Sequence, residues 1–176
     1  MTDSLRERIL DTLWPPDLDD PTMRVYAILD GARDPSVFGF VKGSGRPHCC
    51  LYAGALPREL VETAPYLVEL DRAAPFTDLL VSQGWGQSWG IYACARYDLE
   101  AMRRHLRRFL VVQDESGRQL LFRYYDPRVM RVYLPTCNVT ERAQVFGPVT
   151  RYVMEGEDAA ALIEFNVARD LDRVIT

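Results

Sequence analysis

The imidazole and thiol side chains that could act as base, nucleophile or zinc ligand are few. There are two histidines, His48 and His105, and four cysteines, Cys49, Cys50, Cys94 and Cys137. Cysteine–histidine catalysis needs the thiol and imidazole within hydrogen-bond reach. His48 and Cys50 are the pair that a small hydrolase would use, while His48 and Cys49, adjacent in a strand, point to opposite faces. A zinc site would draw on His48, Cys50, Cys94 and His105 from scattered segments, without CxxC or HxxxH spacing, so no metal is expected. His105 lies among arginines, whose positive field disfavours its protonation. No GxSxG elbow is present.

The glycine-rich segments fail as phosphate loops. Gly39-Phe-Val-Lys-Gly-Ser-Gly45 places its lysine ahead of the glycine that a P-loop requires before it. Gly84-Trp-Gly-Gln-Ser-Trp-Gly90 is one residue longer than the dinucleotide fingerprint, with tryptophans where backbone must approach ligand. No cofactor is implied. The densest cluster is Phe122-Arg-Tyr-Tyr-Asp-Pro-Arg-Val129. Asp126 there can cap a helix opened by Pro127, and Arg123, Arg128 and Arg131 can pair with it or with acidic groups elsewhere.

These residues need elements to hold them. Leu5, Ile9 and Leu13 predict a helix from Ser4 to Leu13, with Ser4 and Glu7 as a capping box. Met23 to Leu29 is a buried strand. Residues 34–47, with two prolines and three glycines, predict a mobile loop. Further strands are expected at His48–Ala53, Tyr66–Leu70, Trp89–Ala95, Phe109–Val112, Gln119–Tyr125 and Thr150–Met154. Helices are expected at Pro57–Ala64, Phe76–Ser82, Asp98–Arg108 and Pro127–Tyr133, the last stopped by Pro135, with a short one from Thr140. Glu115-Ser-Gly117 is a hairpin turn, and Ala159–Val167 fits either state. The fold class is α+β: a mixed sheet flanked by short helices, as one domain or two small lobes. The divisions are an N-terminal helix and linker (1–22), a main domain (23–154) and an acidic C-terminal segment (155–176).

Composition narrows the function classes. The 176 residues are 48% hydrophobic and 26% charged, as in globular proteins. A net charge of −4 argues against a nucleic-acid partner. No apolar run is long enough for a bilayer, so no membrane partner is expected, and the N-terminus lacks a secretory apolar stretch, which predicts a cytoplasmic protein. Lys42 is the only lysine among 21 basic residues. Arg103, Arg104, Arg107 and Arg108 crowd one helix, whereas Glu155, Glu157, Asp158, Glu164, Asp170 and Asp172 make the end acidic. Mixed charge of this kind suits protein partners.

Six segments in order carry a resemblance: Tyr26-Ala-Ile-Leu-Asp-Gly-Ala-Arg33, Ala64-Pro-Tyr-Leu-Val-Glu-Leu70, Gly84-Trp-Gly-Gln-Ser-Trp-Gly-Ile91, His105-Leu-Arg-Arg-Phe-Leu110, Phe122-Arg-Tyr-Tyr-Asp-Pro-Arg-Val129 and Phe146-Gly-Pro148. Over about residues 24–153 the chain resembles the adaptor/chaperone domain associated with bacterial type VI secretion. The resemblance implies a non-enzymatic role. Such a protein binds a secreted effector toxin in the producing cell and promotes its loading onto the VgrG-type spike protein. It supplies no catalytic residues, and many relatives continue into a longer, variable C-terminal region. An adaptor needs an apolar surface with a charged rim, expected near Phe38, Phe40, Trp85 and the arginine-rich helix with Arg104 and Arg108. Arg128 and Arg131 are further candidate contacts. An immunity-type toxin-binding protein is the alternative alongside the hydrolase.

Overall fold

The computed structural model describes residues 3–16, 20–114, 116–168 and 172–175. Its centre is a seven-stranded sheet in the order β2-β3-β1-β4-β7-β8-β9. The strands are β1 (Arg24–Asp30), β2 (His48–Cys50), β3 (Pro65–Leu70), β4 (Gly90–Ala95), β7 (Val149–Glu155), β8 (Leu162–Asn166) and β9 (Arg173–Ile175). Neighbouring strands pair antiparallel throughout, in place of the expected mixed sheet. The α+β class holds. A separate hairpin joins β5 (Val111–Gln113) to β6 (Gln119–Leu121).

Alternation along the strands divides the core in two. Val25, Ala27 and Leu29 of β1 join Tyr66, Val68, Tyr92, Cys94 and Val153 on one face. Tyr26, Ile28, Leu67, Ile91, Ala93, Tyr152 and Met154 fill the other. Successive strand residues point to opposite faces, so a strand covered on both sides is apolar at nearly every position. This is why Val25–Leu29 reads as a continuous apolar run.

Helices seal both faces. The first is covered by α1 (Asp3–Leu13), α2 (Pro35–Gly43) and α4 (Pro75–Leu79), the last continuing into a π-helical turn, Leu80–Gly84. The second is covered by α5 (Leu99–Arg107), α6 (Pro127–Thr136) and α7 (Val139–Phe146). The short helix α3 (Arg58–Glu62) buries none of its residues.

Several local expectations are corrected. The segment expected as a mobile loop contains α2: Asp34 caps it through the Ser36 amide, and Pro35 occupies its first turn. Val37 and Val41, four apart, are buried, while Gly39 and Gly43 face open space. Burial on one side outweighs the helix cost of glycine on the other. Helix α1 starts at Asp3, ahead of the expected Ser4 cap. Pro135 does not stop α6, which runs on to Thr136. Strand β6 ends at Leu121, so Tyr124 and Tyr125 leave the ladder and enter the core. The cap of α7 is Asn138, which forms a reciprocal capping box with Glu141. The ambiguous 159–167 segment supplies β8, and β9 follows in the stretch read as an acidic tail. Asp170 and Glu115 lie outside the described residues.

Candidate interaction site

Helix α5 begins at Asp98, whose carboxylate accepts from the Ala101 amide. Met102 and Leu106 face the core, and Arg103 donates to the Cys50 carbonyl of β2. This orientation leaves Arg104 and Arg108 in solvent one turn apart. Among the described residues, Arg104 has Glu100 as its carboxylate neighbour, at 3.8 Å. Arg108 has no carboxylate partner among the described residues.

Directly after α5 the chain enters the β5–β6 hairpin. Asp114 shapes its turn by accepting from the Ser116 and Arg118 amides, and Gly117 takes the left-handed conformation, with φ of 81°. Val111 opposes Leu121 and Val112 opposes Leu120, so each pair occupies a different face of the ribbon. Neither face is covered: Val111 and Leu121 are each 52% exposed, and Val112 and Leu120 are 37% and 39%. At its base, Phe122 meets Tyr133 edge-on at 4.7 Å, and Phe109 packs on Tyr124 and His105. An aliphatic ribbon thus projects from an anchored aromatic base. This surface was not among the expected ones, although two short segments apolar at consecutive positions were a legible sign.

The Phe122–Val129 cluster forms a charge network. Arg123 binds buried Asp30 at the end of β1 and lies 3.8 Å from Asp126. Arg128 holds Asp126 bidentately at 2.9 and 2.6 Å. Burial alone would raise the Asp126 carboxyl, but donors from Arg128 and the charges of Arg128 and Arg123 hold it below the ordinary carboxylate value. Arg131 donates to the Glu155 and Gly156 carbonyls. Arg128 and Arg131 are thereby occupied within the molecule.

Of the other expected contacts, Trp85 is turned into the core. It is buried, stacks on Tyr92 and donates to the Ala159 carbonyl at 2.8 Å. Phe38 and Phe40 are half-buried on α2 against Tyr66 and Trp89. They lie against the first core cluster, whereas α5 packs against the second. The expected surface therefore does not come together as one patch.

Buried Glu155 was not foreseen as the organiser of the Gly84–Gly90 segment. Its carboxylate accepts from the Gly86 and Ser88 amides and from Ser88 Oγ. Gly86 and Ser88 both have positive φ, which turns their amides toward it. A protein carboxylate occupies the place that a phosphate would take in a nucleotide loop.

The residues that suggested nucleophilic chemistry are not assembled. His48 Nδ1 lies 2.8 Å from the Arg46 carbonyl and Nε2 lies 3.4 Å from Lys42 Nζ. Among the described residues no hydrogen bond joins His48 to Cys50. Burial pushes the Cys49 thiol up to about 11. His105 Nε2 lies 2.9 Å from the Val145 carbonyl, and burial first, then the Arg108 charge, lowers its pKa below 6.5. Among the described residues no three His, Cys, Asp or Glu side chains are grouped to hold a metal ion, and no helix is long and apolar enough to cross a membrane.

These features define an α+β domain with an antiparallel sheet enclosed between two helical layers. The chain belongs to the family described as Domain of unknown function (DUF4123), whose model matches residues 25–144. No curated protein and no solved structure matches it.

Proposed function

We propose that this protein is a non-enzymatic adaptor/chaperone that binds a type VI secretion effector toxin in the producing cell and promotes its loading onto a VgrG-type spike. The β5–β6 ribbon carries the reading. Its four aliphatic side chains stand in solvent on both faces, beside an arginine-bearing helix. Exposed apolar side chains beside charge are characteristic of protein contacts. Family membership supports the same reading, because this family is associated with type VI effector adaptors.

Capture of the tagged chain from lysate of cells expressing the secretion machinery, with mass spectrometry, tests it. A toxin-like protein recovered with spike protein, and lost when Val111 and Leu121 are both changed to Thr, is the expected result. Recovery of the bare chain overturns the proposal. Neutralisation of the toxin's activity by the chain, without recovery of spike protein, would replace it by the immunity-type role.

A further inference from the structure

Three hollows join along one side of the molecule. The first, of about 370 Å³, lies beside Tyr97, Arg104, Arg108 and Pro148. The second, of about 490 Å³, shares Tyr97, Gly147 and Pro148 with it and adds Arg96 and Val167. The third, of about 640 Å³, shares Val167 and reaches Val139, Arg142 and Ala143 of α7. The floor is apolar, with Tyr97 53% and Val167 56% exposed. Among the described residues no aspartate or glutamate lines any of the three, in a chain whose net charge is −4.

Four arginines line the hollows, and two of them, Arg104 and Arg108, present their charge to solvent. Arg96 is paired with Asp20 at 2.8 Å, but Arg104 and Arg108 are exposed and all but unpaired. Arg142 is buried. Its Nη2 serves the Asn166 carbonyl and Asp172, while Nε and Nη1 have no hydrogen-bond partner among the described residues. Gly147, with φ of 46°, turns the chain between the first two hollows, and a side chain there would strike the His105 ring. The groove is thus a consequence of a backbone turn at that position.

We propose that this groove binds an extended segment of another protein in which carboxylates alternate with apolar side chains, the carboxylates meeting Arg104 and Arg108 and the apolar groups lying on Tyr97, Pro148 and Val167. Elongated hollows seat an extended chain, and complementary charge at the rim selects it. A base can stack on Tyr97, but with Arg96 and Arg142 already paired to Asp20 and Asp172 only Arg104 and Arg108 are left for the phosphates of a nucleic acid. The hollows share helix α5 but no residue of the β5–β6 ribbon, and binding to them does not depend on the adaptor reading.

The test is fluorescence anisotropy of the full chain with a labelled twelve-residue peptide of interspersed Asp, Leu and Gly, beside the same peptide with Lys for Asp and a twelve-nucleotide oligouridine. Binding of the acidic peptide alone is expected. Arg104→Glu with Arg108→Glu should weaken it by about tenfold or more, and Tyr97→Ser should weaken it without altering the melting temperature. Val111→Thr with Leu121→Thr should leave it unchanged. Equal or absent binding of the acidic and basic peptides overturns the proposal, as does wild-type affinity in the arginine variant. Tighter binding of oligouridine also overturns it. Loss of effector capture with peptide binding intact removes the adaptor role alone, and the converse removes the groove alone.

Discussion

Glu155 shows how one carboxylate can shape a distant loop. Its three donors lie 67 and 69 residues away in the chain, at Ser88 and Gly86. Removing a buried acceptor leaves those donors unsatisfied. Glu155→Ala should therefore cost about 3 kcal/mol, read as a fall in the urea midpoint. His105 acts through its proton. Its folded pKa lies below 6.5, so the unfolded chain takes up the proton first as pH falls. The stability it contributes is complete above about pH 6.5 and is lost as pH drops from there toward the folded value. Urea unfolding at stepped pH should show this slope, and His105→Gln should flatten it. Asp126 adds a separate loss, confined to pH below its ordinary 3.8.

At the scale of elements, exposure separates what holds the fold from what is free to bind. The ribbon positions 111 and 121 are half exposed, and threonine keeps strand propensity. Val111→Thr with Leu121→Thr should thus change stability by no more than about 0.5 kcal/mol per site while abolishing partner capture. A capping residue behaves oppositely. Asn138 closes the first turn of α7 through its box with Glu141. Asn138→Ala should cost about 1 kcal/mol by chemical denaturation, with the rest of the fold retained.

Across the whole molecule, the matched region ends at residue 144, yet the sheet continues through β7, β8 and β9. Strand β7 pairs with β4 next to the sheet centre and brings Tyr152, Val153 and Met154 into both core layers. A chain cut after residue 148 would leave β4 as an unpaired edge and open both layers. It should show no cooperative thermal transition by circular dichroism, whereas the full chain should melt in one step. Arg142 and Arg173 also tie this C-terminal part together, to Asp172 and Glu164 respectively.

Local rules made much of this molecule legible before its structure. Asp98 and Asp126 cap helices because an aspartate beside free amides does so wherever the chain turns. The apolar run at Val25–Leu29 announced a strand covered on both faces, and the α+β class followed from the interleaved elements. Helix α2 was hidden because its evidence was not local: glycine signals a loop until Val37 and Val41 are seen buried against the sheet. The same limit applies to the charges. That Arg123 meets Asp30, that Glu155 sits under the Gly84–Gly90 loop, and that Arg104, Arg108 and Arg142 line one groove all depend on strand order. Strand order brings distant segments side by side, and nothing in the spacing of those residues encodes it.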